Sequence, residues 1–378
     1  MPDQSAPRLR LVPSRRFAHW LAGSGASLAF TTYQAGKLFF LGTGPDGQLS
    51  VFERTFARAM GLAHSGDTHW LGSLYQLWRF ANFLEPGQDQ AGHDGVFVPL
   101  EGRTTGDVDI HDIGLDADGE PIFVVTRFNC LARLDRHYSF RPVWTPPFID
   151  RLSGEDRCHL NGLAMREGRP AFASAVARSN LAEAWRDQRQ GGGIVMDVES
   201  GEIACSGLSM PHSPRWYGGT LWLLNAGTGE FGHVDLASGR FEPVAFCRGF
   251  LRGLAMIGDH AVVGTSLPRD NHVFDGLPLQ ARLDTEGAAP VCGLSVINLK
   301  SGDIEHQLQI EGIVDELYDV AALNGFRRPM SLGFRTDEIH NCLKLPAISW
   351  VTPGNADGED GGPATPFQEF TVLPAWPA

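Results

Sequence analysis

The chain has 378 residues, 43% of them hydrophobic and 20% charged, a globular balance on a length that suits two ordinary domains or one large all-β architecture. A formal net charge of −13, with no Lys/Arg-rich run to relieve it, repels phosphate backbones and anionic lipid, so nucleic acid and membranes are excluded as expected partners. No stretch of about 18 apolar residues occurs, and the six cysteines are scattered without a CxxC pair, which predicts reduced thiols in a cytoplasmic protein.

Residues 1–26 read as a leading segment. Arg15 and Arg16 precede FAHWLAGSGASLAF, but His19 and Ser24 break the apolar stretch, so no export signal is expected. SLAFTTYQAGKLFFLG, which follows, is strand-like. Then a short pattern recurs six times: RAMGLA from Arg58, HDIGLD from His111, HLNGLA from His159, HSPRWY from His212, FLRGLA from Phe250 and YDVAAL from Tyr318. The spacing averages about 52 residues, the length of one four-stranded propeller blade.

The columns of this repeat have physical meaning. Its fourth position is Gly61, Gly114, Gly162, Arg215, Gly253 and Ala321, nearly free of side chains, as expected where six strands crowd about one axis. Its fifth is Leu62, Leu115, Leu163, Trp216, Leu254 and Ala322, which reads as packing between blades. Between the repeats, VMDVESGEI, HVDLASGRF and VINLKSGDI share a Ser-Gly turn flanked by alternating hydrophobics, the form of an outer hairpin.

Residues 179–193 look helical and then flexible, an insertion in the third blade. Residues 270–293 show neither period and account for the longest step; long loops of this kind serve as lids or binding loops. RPMSLGF is placed in the last blade, whose missing outer strands come from SLAFTTYQAGKLFFLG. The expectation is therefore an all-β, single six-bladed propeller over residues 27–345, closed by N-terminal strands, with a Pro/Gly-rich tail over 346–378.

TTYQAGKL, DRCHLNGLA, PHSPRW followed by LWLLN, GFLRGLA and ELYDVA together resemble an uncharacterised family of bacterial conserved hypothetical proteins with a propeller-like repeat. The resemblance runs to about Phe334; it implies one fold and brings no activity.

The first column reads Arg58, His111, His159, His212, Phe250, Tyr318. Equivalent positions converge on the central channel, so three histidines at one height predict a metal site with an open fourth position, zinc foremost. Two other readings stand beside it: ring-closing hydrogen bonds to carbonyls, and acid/base chemistry without metal. Arg58 is expected to hold a substrate carboxylate, and Tyr318 to act as general acid or base. Asn161, Arg252, Asp109 and Glu316, two residues away along the strands, are expected on the same face as substrate-binding groups, with interblade salt bridges as the competing role. Asp112 and Asp319, one residue on, are expected on the opposite face, bridging blades or orienting imidazoles.

Three histidines, an arginine and a tyrosine on a propeller are similar to the constellation of the peptide α-amidating lyases, a likeness that implies a zinc-dependent lyase. The expected function is a metal-dependent lyase or hydrolase acting on a small carboxylated or peptide-like substrate at the channel; the alternative is a non-enzymatic propeller that binds a protein or peptide partner.

Overall fold

A computed structural model describes residues 9–268, 276–335, 337–340 and 342–344. It shows six antiparallel sheets whose inner strands ring one axis. The first blade comprises Leu62–Ser65, Thr68–Gly72, Gln76–Asn82 and Gly95–Thr104; the second Ile110–Leu115, Pro121–Val125, Cys130–Arg133 and Arg141–Trp144. The third runs through Leu160–Arg166, Arg169–Ala175, Gly193–Asp197 and Ile203–Leu208, and the fourth through Pro211–Tyr217, Thr220–Asn225, Glu230–Asp235 and Arg240–Phe246. Phe250–Ile257, His260–Ser266, Gly293–Asn298 and Ile304–Glu311 form the fifth.

In the sixth blade, Leu317–Asn324 supplies the inner strand, and Ala26–Thr32, Lys37–Thr43 and Leu49–Thr55 supply the outer three. The N-terminal closure is as expected, and it joins the two ends of the ring through backbone ladders. RPMSLGF is not part of that blade: Pro329–Ser331 crosses over and pairs in parallel with Gly95–Thr104, covering the outer edge of the first blade. On the fifth blade Arg10–Pro13 covers the outer edge of Ile304–Glu311, pairing antiparallel, and the helix Phe17–Gly23 buries Phe17 and Leu21 against the core.

The three Ser-Gly hairpins share one device. Asp197, Asp235 and Asn298 each accept backbone N–H bonds from the turn two or three residues on, the local reason those sequences turn there.

Two loop readings need correction. Residues 179–193 contain only the 3-10 turn Ala184–Gln188, because Glu183 sits in the left-handed region at φ 56° and cannot continue a helix. Residues 270–293 hold a true helix, Pro278–Glu286, with proline in its first turn and Gly287 in a left-handed stop; Leu279 and Leu283, one turn apart, are its buried face. Residues 269–275 and the tail 346–378 lie outside the described residues. Among the described residues no helix is long and apolar enough to cross a membrane.

The glycine column is explained by the neighbouring blade. A Cβ on Gly162 would lie 2.3 Å from Pro214 of the fourth blade, and one on Gly253 would lie 2.6 Å from the backbone of Val320 in the sixth. Inner strands approach too closely for any side chain there.

Candidate functional site

The inner strands do not alternate cleanly. Their pairing shifts register between Leu160 and Gly162, between His212 and Arg215, and between Leu251 and Leu254, and Arg58, Asp109, His159 and Met210 have left-handed backbones at φ 50 to 60°. Each bulge inserts a residue and turns the side chains that follow, so face assignments by twos fail. Asp112 and Asp319, expected on the far face, in fact meet Arg215 at the axis. Arg215 donates to both Asp112 oxygens, at 2.7 and 3.1 Å, and approaches Asp319 at 3.5 Å. The two carboxylates bridge blades as well, accepting from Leu163 N at 3.0 Å and Leu62 N at 2.8 Å respectively.

Around this plug the first column does gather. The His111 and His159 rings meet edge to face with centroids 4.9 Å apart, and His111 lies 5.5 Å from the ring of Tyr318. His111 Nδ1 donates to Thr126 Oγ1 at 2.7 Å and toward Asp109 O at 3.2 Å; Thr126 in turn donates to Leu160 O of the next blade at 2.6 Å. His212 Nδ1 donates to Met210 O at 2.7 Å, and His159 Nδ1 to Asp156 Oδ2 at 2.8 Å. All three imidazoles are thus oriented from the Nδ1 side. Burial holds His111 well below the ordinary histidine range, with His159, Arg252 and His212 adding to the effect, so its Nε2 carries a lone pair at neutral pH.

Opposite them stands an aromatic and cationic group. The Arg252 guanidinium lies 4.5 Å above the ring of Tyr318, which stacks on Tyr33 at 5.6 Å. Arg252 is 5% exposed and Tyr318 4%, yet Arg252 Nε and Nη1 and the Tyr318 hydroxyl have no hydrogen-bond partner among the described residues. Burial pushes the Tyr318 phenol well above its usual range, and Arg252 offsets part of that rise. Asp109 is also raised by burial, opposed by His159 and Arg58.

Arg58 is spent differently from the expectation: it pairs with Asp107 and, at 3.7 Å, with Asp109, because Asp107 sits where the guanidinium points. Arg252 is then the buried cation with donors to spare. Asn161 accepts from Ser174 Oγ at 2.8 Å inside its own blade, leaving its Nδ2 buried without a partner. Glu316 is buried just ahead of the last inner strand.

Imidazoles fixed through Nδ1 by oxygen acceptors are what metal-ligating histidines show. Among the described residues, no group of three or more His, Cys, Asp or Glu side chains stands as placed in a metal-holding arrangement.

Several residues went unread in the sequence. Trp185, carried by the 3-10 turn, stacks on His159 at 4.1 Å; Tyr33 backs Tyr318; Asp156 orients His159. Asp156 and His159 stand three apart in DRCH, the one signal available. A cavity of about 450 Å³ opens between residues 186–192 and Leu277, and none of the first-column residues lines it.

A family profile described as "Domain of unknown function (DUF4915)" matches residues 15–332. No curated protein matches the sequence. Solved structures with a similar course include that of a nidogen/laminin complex, 12% identical over 79% of this chain and 99% of that one, with a TM-score of 0.49. A protein of unknown function from Bacteroides caccae is 10% identical over 79% and 98%, with a TM-score of 0.49. A virginiamycin B lyase from Staphylococcus aureus, crystallised with quinupristin as an inactive variant, is 13% identical over 80% and 99%, with a TM-score of 0.39.

Proposed function

The chain belongs to this family of unknown function, and from the channel mouth we propose that it is an enzyme of lyase or hydrolase type acting on a small carboxylated substrate. One observation carries the reading: the Arg252 guanidinium is buried with two donor nitrogens unpartnered, beside an unpartnered Tyr318 hydroxyl. Leaving such buried groups unbonded costs stability, and an anionic ligand removes that cost. In this reading Arg252 holds the carboxylate, the neutral His111 Nε2 accepts a proton, and the neutral Tyr318 hydroxyl donates one.

Calorimetric titration with a panel of small mono- and dicarboxylates, on the wild type and on Arg252→Gln, tests it. Binding that disappears in the variant supports the reading; equal binding, or none by either protein, defeats it.

A second reading keeps the zinc. It is favoured by the three Nδ1 hydrogen bonds, which leave each Nε2 as the ligating atom. Elemental analysis of protein purified without a His tag decides it: stoichiometric metal that is lost in His159→Ala supports the ligand role, and a metal-free parent removes it.

A further inference from the structure

The same mouth carries acidic groups as well as Arg252. The Asp156 carboxylate uses only one oxygen, Oδ2, toward His159; its Oδ1 is buried without a hydrogen-bond partner. Asp109 lies within the electrostatic reach of His159, Arg58, Asp156 and Arg252 together, so these side chains form one neighbourhood. Asp156 is also held firmly in place. Its N–H donates to Arg127 O at 3.0 Å, its carbonyl accepts from Glu183 N at 3.2 Å, and its backbone is left-handed at φ 43°. The residues after it are pinned by Asn129 Oδ1, which accepts from the N–H groups of Arg157 and Cys158 at 2.8 and 3.0 Å. Such a strained and over-determined backbone fixes where a carboxylate points.

Unsatisfied donors on a cation and an unsatisfied acceptor on an anion, both buried at one mouth, call for a ligand with both charges. We infer that the site binds a zwitterion of the α-amino acid class, its carboxylate on Arg252 and Tyr318 and its ammonium on Asp156 with Asp109 beside it. The aromatic rings of Tyr33, Tyr318 and Trp185 supply walls suited to the ligand's carbon skeleton and, at their faces, to its cationic end. This rests on the reading of Arg252 as the carboxylate holder and adds the second pole.

The test is a thermal-shift and calorimetric screen of the twenty standard L-amino acids on the full chain. The tightest binder is then compared with its N-acetyl derivative, which lacks the positive charge, and its methyl ester, which lacks the negative one. The expected result is binding by at least one amino acid and a loss of tenfold or more on either modification. Asp156→Asn, which still offers an oxygen to His159, is expected to weaken the amino acid about tenfold and to leave the N-acetyl derivative unchanged. If the N-acetyl derivative binds as well as its parent, the zwitterion inference fails while the carboxylate reading stands. If the ester binds as well as its parent, both fail. If none of the twenty binds, the zwitterion inference is overturned, and the carboxylate panel judges the other separately. Should Asp156→Asn not fold, the comparison of the three ligands on the wild type is sufficient.

Discussion

Arg215 of the fourth blade reaches across the propeller axis and donates two hydrogen bonds to Asp112 of the second, at 2.7 and 3.1 Å. Asp319 of the sixth blade stands 3.5 Å away on the other side. One guanidinium thus ties three blades together at the point where the repeat otherwise places glycine.

Removing that cation strands two carboxylates in a buried place. Arg215→Met is expected to cost about 3 kcal/mol, in the range for breaking a buried pair from one side. Adding Asp112→Asn and Asp319→Asn to it should restore part of the loss. Urea unfolding of the single and triple variants measures both.

Asp319 gives this centre a pH dependence. Burial and the neighbouring Asp112 raise its carboxyl to about 7, against the pull of Arg215. A carboxyl raised in the folded state binds its proton more tightly there than in the unfolded chain, so its stabilising contribution is full below about pH 4 and is lost as pH climbs through 7. Asp319→Asn should therefore gain on the wild type between pH 4 and 8. Melting temperatures of the two proteins across that interval check it; a constant difference argues against the shift.

The first blade carries the opposite dependence. His69 is 1% exposed and stacks on Phe80 at 4.5 Å with Phe97 at 4.7 Å; His64 faces Phe97 and Phe326. None of their ring nitrogens has a hydrogen-bond partner among the described residues. Burial lowers His64 to about 4 and holds His69 well below the ordinary histidine range. These histidines stay neutral in the fold while the unfolded chain takes up protons, so their contribution is full above about pH 6.5 and falls away toward pH 4. His69→Phe, close in volume and at home among aromatic rings, should flatten the acid limb of a stability–pH curve. At neutral pH it should add roughly 1 kcal/mol by removing an unsatisfied polar group.

Tyr318→Phe separates stability from function. Deleting a buried hydroxyl that has no partner should leave the fold unchanged or raise its stability by up to about 1 kcal/mol. Turnover, once a substrate is known, should fall roughly 10²- to 10⁴-fold, the usual worth of a positioned acid or base. A variant that melts lower and binds carboxylates as before would show the hydroxyl to be a packing group.

Much of this protein follows from sequence period alone. The six repeats and their Gly and Leu columns determine a six-bladed ring, because inner strands that approach to within a Cβ of each other admit little else at those positions. The Ser-Gly hairpins determine their own turns through an Asp or Asn three residues ahead of the serine. The first column likewise brought His111, His159 and Tyr318 to one mouth, since equivalent positions of a ring share a height. What period cannot convey is where the strand bulges. The pairings of the strands that carry Asp112 and Asp319 shift register, between Phe123 and Val125 and between Phe30 and Thr32, without changing composition, so only the tertiary structure could bring both carboxylates to Arg215. It also decided the pairings. Arg58 met Asp107 and lost its freedom, Arg252 came to lie over the Tyr318 ring with donors to spare, and Asp156, three residues ahead of His159, took the task of orienting it. Those choices depend on distances between blades, which no single repeat contains.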